Sequence, residues 1–213
     1  MNRQLWFFAL LAALLVPAVS SAQKLERTKN WEVGDKVTWN YVLQGKSMRL
    51  VDEVVEVTDD EVRSTLQVGD RTLEQTVSLR DFSLRKGICS PNGQACTFSP
   101  AWVWLDFPLE EGKAWSAAST VTGESFISEV AYQYKVEGVE KITTPAGQFD
   151  AYRISGSEHI KSRSKGGAGP WHGTSSFTDW VASINGKVRA VKSEYHNSFG
   201  EVYTRELLAA ELR

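Results

Sequence analysis

The chain has 213 residues, of which 24 are basic and 26 acidic, giving a formal net charge of −2 at neutral pH. This length suits one large β domain or two small related units, and a hydrophobic content of 42% is enough to build a core. A general nucleic-acid-binding protein needs a basic face for the phosphates, so this slightly acidic chain is not predicted to be one.

The first 22 residues have the three-part pattern of a cleaved secretory signal. A start with one positive charge, Arg3, precedes the apolar run from Leu5 to Val16, and the small residues before Gln23 suit a signal peptidase. A membrane anchor is the alternative, but a spanning helix needs about 20 apolar residues. We therefore predict a signal peptide over residues 1–22, cleavage after Ala22, a periplasmic location, and no transmembrane segment in the mature chain.

The two cysteines, Cys89 and Cys96, frame the sequence CSPNGQAC. In an exported chain they are expected to be oxidised, and Pro91-Asn92-Gly93 is turn chemistry that brings them together. We predict a disulfide that staples a projecting hairpin. A redox site usually has two residues between its cysteines, and a zinc site would want further ligands nearby in sequence.

Polar and apolar residues alternate with a period of two through most of the chain, which predicts antiparallel sheet with one solvated face. Clear examples are Val37–Leu43, Val62–Val68 and Leu73–Leu79. Two-residue hairpin turns are predicted at Gly69-Asp70 and Asn185-Gly186, with further reversals at Asp59-Asp60 and Ser198–Gly200. The C-terminal sequence RELLAAELR could be a helix or a last strand. The predicted fold is all-β: an antiparallel, strongly curved sheet forming a half-barrel or a barrel.

Two pairs of segments look alike and suggest a duplicated unit. Residues 31–39 (WEVGDKVTW) resemble residues 109–116 (LEEGKAWS), and residues 49–57 resemble residues 134–142. We predict one β-rich exported domain over residues 23–213, with a possible division into halves of about 30–100 and 101–213.

Candidate ligand-binding residues occur in two places. Trp102 and Trp104 are two apart and share a face if their segment is extended, where they could stack on sugar rings or pack in the core. Further along, Lys161, Arg163 and Lys165 alternate before a glycine-rich tip and Trp171. These charges could receive an anionic headgroup or guard an edge strand from self-association.

Catalytic motifs are sparse. The sequence contains no Gly-x-Ser-x-Gly, no His-Glu-x-x-His and no phosphate-binding loop, so no catalytic residue and no cofactor is predicted. His159 and His172 lie about equally far from Lys165-Gly166, and a hairpin there would place them roughly opposite each other. They are weak candidates for a metal site, and two surface imidazoles are the alternative.

The stretch KITTPAGQFDAYRI (141–154) has Pro and Gly where a hairpin corner needs them. Together with LDFPLEEGKAW (105–115), VEGVEKI and DWVASINGKVRAVKSE (179–194), it resembles an uncharacterised family of exported bacterial proteins, the domain-of-unknown-function 3108 type with its TapB-like relatives. The resemblance covers roughly Leu105 to Leu212. It implies an envelope location and a curved, antiparallel β fold, and it implies no catalytic residues.

Three functional hypotheses follow. The first is a non-enzymatic periplasmic protein whose concave sheet binds a hydrophobic or lipid-like ligand, since curved sheets create apolar pockets. The second is an interaction module that binds envelope polysaccharide or a protein partner through exposed aromatic residues. The third is a hydrolase or metalloenzyme built around His159 and His172.

Overall fold

The computed structural model describes residues 24–27, 31–80, 82–89, 94–167 and 169–213. The predicted signal peptide lies outside these ranges. Within them the chain forms twelve strands and no helix: β1 (Lys36–Leu43), β2 (Lys46–Val57), β3 (Glu61–Val68), β4 (Arg71–Ser78), β5 (Ser83–Ile88), β6 (Ala95–Val103), β7 (Ala114–Thr122), β8 (Phe126–Thr144), β9 (Gly147–Ser164), β10 (Trp171–Ile184), β11 (Lys187–Asn197) and β12 (Val202–Glu211). Accordingly, the described residues include no helix of the length and apolarity that a membrane crossing requires.

The strands form one closed antiparallel barrel in which each strand pairs with its neighbours in sequence. The seam joins β1 to β12, from Lys36 opposite Glu211 to Leu43 opposite Tyr203. Closure leaves neither the first nor the last strand with an unpaired edge. The predicted all-β, antiparallel, strongly curved sheet is confirmed, and of its two predicted forms the barrel is the one observed.

The alternation with a period of two in the sequence separates side chains that face the barrel interior from side chains that face solvent. On β8, Val130, Tyr132 and Tyr134 point inward and are buried, whereas the intervening Ala131 and Gln133 are exposed. Successive side chains of a strand point to opposite faces, so alternation separates the lining of the barrel from its surface.

The predicted turns lie where the strands reverse. Asn185 and Gly186 have φ values of 51° and 77°, the left-handed pair that a two-residue hairpin turn requires. Gly69-Asp70 joins β3 to β4, and Ser198–Gly200 lies between β11 and β12. RELLAAELR, left open between helix and strand, lies largely in β12.

The corner at Thr144–Gly147 also forms as predicted, because β8 ends at Thr144 and β9 begins at Gly147. These two strands are the longest in the barrel, at 19 and 18 residues. Gly138, at a φ of 144°, sits where the register of the two strands shifts. Such a bulge bends a strand, so the far part of the hairpin can leave the line of the barrel wall.

The tip of this hairpin folds across the outer face of β10–β12. The backbone N–H of Ala146 donates to the carbonyl of Leu207 over 3.3 Å, and the indole of Trp180 donates to Glu140. Beneath the tip lies an apolar layer that includes Ile142, Phe149, Ala151, Trp180, Ala182 and Val191. The hairpin therefore adds a second layer to one side of the barrel.

The segment 104–113 separates six strands from the next six, near the boundary predicted between two halves. The twelve strands nevertheless share one sheet. A duplication of the two halves stays a prediction.

Candidate ligand-binding lumen

The barrel encloses a cavity of about 990 Å³, lined by side chains from all twelve strands. We call this cavity the lumen. An eight-stranded barrel is just wide enough for its own side chains or one small ligand, so twelve strands leave more space. The volume lies near the upper end of the usual range for small-molecule pockets, about 300–1,000 Å³.

One end of the lumen is closed by the segment 104–113, and we call it the closed end. Leu105 and Leu109 of this segment are fully buried, and Leu109 forms a backbone bridge with Leu25. The ring of Phe82 lies 5.5 Å from Phe107, edge to face. These contacts fill the closed end with apolar side chains.

A buried ion cluster lies beside the segment 104–113. Asp35 is only 2% exposed, and its two carboxylate oxygens accept hydrogen bonds of 2.7 and 2.8 Å from the Lys187 ammonium. Arg189 approaches the same carboxylate to 3.4 Å and stacks over Trp31, with its guanidinium carbon 3.9 Å from the ring centroid. The carboxylate of Asp35 therefore serves two buried cations.

Electrostatics at Asp35 favour its ionised form. Burial acts to raise its pKa, but hydrogen bonds from Lys187 and from the backbone N–H groups of Arg213 and Glu32 outweigh that effect. The pKa of Asp35 is therefore lowered from its ordinary value.

The walls formed by β1–β5 are predominantly apolar. Their inward positions include Val37, Trp39, Leu50, Val54, Leu66, Val68, Val77, Leu84 and Ile88. The first five are largely buried in packed clusters. Val68, Val77, Leu84 and Ile88 are only partly buried, so they leave apolar surface available to a ligand.

Asp52 interrupts this apolar wall. Its Oδ1 atom is buried and has no hydrogen-bond partner among the described residues. Burial raises the pKa of this carboxyl, against smaller opposing effects from Ser64, Arg189 and Arg205. Asp52 and Asp35 thus lie in one barrel with pKa values displaced in opposite directions.

The walls formed by β6–β8 are aromatic and contain Trp102, and Trp104, the other tryptophan proposed from the sequence, directly follows β6. Trp102 stacks on Tyr132 with ring centroids 5.0 Å apart, and its indole N–H donates to the Tyr134 hydroxyl over 2.6 Å. Trp104 also lines the lumen, where its indole N–H donates to Asp179 over 3.2 Å. Both tryptophans therefore face the lumen.

A polar band crosses the remaining wall, on β9–β12. We define it as Glu158, Ser175, Asp179, Ser193, Tyr195 and Arg205, all of which line the lumen. Within it, the Tyr195 hydroxyl donates to Glu158 and lies 2.5 Å from the Ser175 oxygen. The Tyr195 ring stacks on Tyr203, with centroids 4.5 Å apart, which fixes the position of its hydroxyl.

In the second part of the polar band, a serine links a carboxylate to a guanidinium. Ser193 donates to Asp179 over 2.5 Å and accepts from the Arg205 guanidinium over 3.0 Å. Arg205 also lies over Trp39, 5.1 Å from its ring centroid. In the described part of the chain neither Asp179 nor Arg205 belongs to an ion pair, so each presents charge to the lumen.

The tyrosines of the lumen are held in their protonated form. Burial raises the pKa of Tyr41 to about 12. It also raises the pKa of Tyr132, Tyr195 and Tyr203 above the ordinary value. Their hydroxyls therefore keep their protons and act as hydrogen-bond donors at physiological pH, as the Tyr195 hydroxyl does to Glu158.

The end of the lumen opposite the closed end is its mouth, which is bordered by the β9–β10 and β11–β12 turns. Trp171 and Phe199 line the cavity here and are 43% and 60% exposed. Their rings meet edge to face, with centroids 5.5 Å apart. The exposure of both rings shows that the lumen opens to solvent at this end.

The basic residues proposed from the sequence lie outside the lumen. Lys161 and Arg163 are exposed on the outer face of β9. Lys165 follows the strand, and its ammonium donates to the carbonyl of Gly123 over 2.7 Å. Of the predicted ligand-binding set, the structure thus places Trp102, Trp104 and Trp171 along the lumen and the three cations on the surface beside its mouth.

His159 and His172 are both exposed on the outer face but are not directly opposite each other. His159 pairs with Thr174, and His172 pairs with Lys161, so the two imidazoles are offset diagonally by two residues. No group of three metal-ligating side chains occurs within the described residues.

Cys89 and Cys96 are joined by a disulfide, with Cα atoms 5.9 Å apart. The bond connects the end of β5 to the start of β6, and the loop tip, residues 90–93, lies outside the described ranges. Cys89 also lines the lumen. The staple therefore stands at the same end of the barrel as the mouth.

Replacing both cysteines with serine is expected to lower the free energy of unfolding by about 2–3 kcal/mol. The cross-link closes a short loop, and in the chain-entropy model a loop of this size gives a modest gain. Urea unfolding of the wild type and the C89S/C96S variant measures this loss. A reductant should lower the wild type to the level of the variant, and it should leave the variant unchanged. Equal stabilities of the oxidised wild type and the variant would contradict this expectation.

A second depression, of about 580 Å³, lies on the outer face of β7–β9 and is lined by residues such as Ser116, Lys135 and Ser157. It is shallow and open to solvent. The lumen is the better candidate site because the barrel surrounds it and because most of its polar side chains lie on the side formed by β9–β12.

The fold and the cavity define a class: a twelve-stranded antiparallel barrel with a lumen that is closed at one end and lined by one polar and several apolar walls. Residues 122–208 match the family described as DUF3108-like. The resemblance predicted from the sequence motifs is thereby confirmed over this part of the chain.

Two solved structures are similar to this chain. A candidate lipoprotein from Parabacteroides distasonis is similar with a TM-score of 0.54 and 13% identity, covering 89% of this chain and 100% of that one. The hypothetical lipoprotein YmcC from Escherichia coli gives a TM-score of 0.44 and 12% identity, covering 81% of this chain and 83% of the other. A comparison with curated proteins gives no match.

Proposed function

We propose that the protein is a non-enzymatic component of the bacterial envelope that binds one amphiphilic molecule in its lumen. The observation that carries the proposal is the division of the lumen into apolar walls and one polar band. An amphiphile has the same division, so its apolar part and its polar group would each meet a matching surface.

The apolar part would lie against β1–β8. The cavity is long enough to involve the whole barrel, from Val37 near the closed end to Phe126 near the mouth. Each square ångström of apolar surface removed from water contributes roughly 25 cal/mol. A hydrocarbon chain lying along these walls would therefore gain most of its binding energy there.

The polar group would lie against the polar band. The Arg205 guanidinium offers donors, and the carboxylates of Glu158 and Asp179 offer acceptors. A buried polar site of this kind costs free energy unless its groups are paired, so it favours a ligand that both donates and accepts hydrogen bonds. The hydrogen bonds from Ser193 and Tyr195 hold the carboxylates in place, which suits recognition of a headgroup.

The envelope location rests on two supports. The first 22 residues have the pattern of an export signal. The structurally similar protein from Parabacteroides distasonis is described as a candidate lipoprotein. A periplasmic protein that binds an amphiphile would keep its apolar part out of water between membranes.

Blocking the lumen tests this proposal. Ile160 lines the cavity and is half-buried, so Ile160→Trp should fill lumen space that a ligand would use. The matched control is Val139→Trp, which places the same ring at an exposed position near the hairpin tip. Binding is measured with the fluorescent fatty acid cis-parinaric acid, and native mass spectrometry examines protein isolated from the periplasm for a co-purifying amphiphile.

We expect Ile160→Trp to weaken parinaric acid binding about tenfold or more, since it removes most of the contact of one ligand segment, whereas Val139→Trp should bind as the wild type does. Both variants must keep the β-sheet circular dichroism spectrum of the wild type. Equal binding by all three proteins, or a wild type that is always isolated bare and binds no probe, would overturn the proposal.

A further inference from the structure

We propose that the mouth of the lumen docks onto the surface of an anionic phospholipid bilayer. Trp171 and Phe199 would enter the interface as anchors, and Lys161 and Arg163 would contact the headgroups. This inference names a partner for the proposed lumen. The proposed function explains only why docking would be useful. Bilayer binding itself does not depend on it, because it is measurable without any lumen ligand.

The mouth concentrates exposed apolar side chains. Among the described residues, six large hydrophobic side chains are exposed, and Trp171, Phe199 and Val202 lie at this end. Single exposed hydrophobic residues need no explanation, but rings in contact with each other beside an opening do. Trp is favoured at membrane interfaces because one end of the side chain is apolar and the other polar.

The backbone makes room for this aromatic pair. A Cβ added at Gly173 would lie 2.8 Å from the Phe199 ring and 3.2 Å from the Trp171 ring. Any other residue at position 173 would push the rings apart. The absence of a side chain at Gly173 therefore leaves the space in which the two rings meet at the mouth.

Positive charge lies beside the anchors. Lys161 and Arg163 face outward on β9, and Trp171 pairs with the intervening Ser162. In the described part of the chain, neither cation forms an ion pair, although Glu129 lies opposite Lys161 on β8. Each Lys or Arg near an anionic membrane surface favours binding by roughly fivefold.

The closed end carries charges of both signs. The carboxylates of Glu110, Asp106 and Glu32 lie within ion-pair distance of Lys24, Lys113 and Lys187. Arg80 and Arg213 add further positive charge at this end. Lys161 and Arg163, by contrast, have no ion pair in the described part of the chain, so an anionic surface would attract the side of the mouth that carries them.

The size of the apolar contact favours a bilayer over a protein partner. Fully buried aromatic side chains cover about 150–250 Å² each. Two of them fall well short of the roughly 800 Å² per partner that a stable protein interface buries. A bilayer accepts small anchors because surrounding charges supplement them.

Vesicle flotation tests the docking. The wild type is floated with vesicles of phosphatidylcholine containing a minority of phosphatidylglycerol, and with pure phosphatidylcholine vesicles. Two variants remove parts of the surface: W171S/F199S removes the anchors, and K161Q/R163Q removes the charges. Their matched controls at the other end are V33S/V139S, which removes exposed apolar side chains, and R153Q/K141Q, which removes exposed charges on β8 and β9.

We expect the wild type to bind the anionic vesicles and to lose binding at high salt. The anchor variant should bind at least about tenfold more weakly, the charge variant roughly 10- to 30-fold more weakly, and both controls as the wild type. Absence of wild-type flotation, or equal flotation of variants and controls, would overturn the docking. A dimer that W171S/F199S abolishes, without any vesicle binding, would show a second copy as the partner and would equally overturn it.

Failure of the docking and failure of the proposed function are distinguishable. Parinaric acid binding in solution reports on the lumen alone, and flotation of protein without added ligand reports on the mouth alone. A wild type that binds the probe but no vesicle keeps the lumen function and loses the docking.

Discussion

Replacing Asp35 with alanine is expected to destabilise the protein by about 3–5 kcal/mol, the usual cost of removing one partner of a buried ion pair. The variant leaves the Lys187 ammonium and the Arg189 guanidinium buried without the carboxylate that both approach. It also removes the acceptor of the Arg213 backbone N–H at the end of β12. Urea unfolding followed by tryptophan fluorescence measures the change.

Two further variants separate the ion cluster from a general loss of packing. Lys187→Met should also destabilise, but the D35A/K187M double variant should lose less than the sum of the two single losses, because it leaves fewer uncompensated charges. The surface pair Lys141–Asp150 supplies the control, and Asp150→Ala should cost less than about 1 kcal/mol. Additive losses for Asp35 and Lys187 would contradict the coupling.

The lowered pKa of Asp35 also predicts a pH dependence. A carboxyl with a lower pKa in the folded state contributes stability that is present above its unfolded pKa, ordinarily 3.8, and is lost as pH falls through the folded pKa. The stability of the wild type should therefore fall more steeply as pH drops below that ordinary value, and the Asp35→Ala variant should lack this component.

Asp52 acts in the opposite direction, since its raised pKa makes ionisation unfavourable in the folded state. Asp52→Asn should accordingly increase stability at neutral pH relative to acidic pH.

Replacing Gly156 with valine is expected to destabilise the barrel by about 3 kcal/mol or more, at the upper end of the cost of overpacking. A Cβ at this position would lie 2.1 Å from the Phe177 ring and 2.8 Å from the backbone carbonyl oxygen of Gln133 on β8. The ring could rotate away, but the carbonyl is fixed in the sheet. Thermal unfolding measures the loss.

The control for Gly156→Val is Ser157→Val, the next residue of β9, which points to the outer face. A β-branched residue is well tolerated in a strand, so this variant should change stability by less than about 0.5 kcal/mol. In addition, a G156V/F177A variant should recover part of the loss by removing the ring. Equal losses at positions 156 and 157 would contradict the interpretation that the inner wall has no space there.

Most of the fold could be predicted from the sequence because its signals are local. Alternation over a few residues predicts a strand, and Asn185-Gly186 predicts a particular turn. Closure could not be predicted in the same way. Pairing of β1 with β12 depends on the twist and number of all the intervening strands, and no short stretch of sequence encodes that.

The candidate site was harder to predict. Trp102 and Trp104 stood out because aromatic residues are conspicuous, and both line the lumen. Asp179 and Arg205 did not, since each looks like an ordinary surface charge in an alternating strand. One signal was available: Asp179 and Arg205 occupy inward positions when the alternation of their strands is followed. Recognising them as inward required the register of the sheet, which bulges such as the one between Trp180 and Val181 shift by one residue.

The seam between β1 and β12 sets an order on folding. Asp35 and Arg213, which meet at this seam, are 178 residues apart. Long-range pairing of this kind is slow, because the entropy of closing a long loop must be overcome before the contacts form. Until β12 is in place, β1 has an open edge and the apolar lining of the lumen faces water. The chain is therefore expected to be most prone to aggregation in that interval, and a chaperone would have its greatest effect on this protein then.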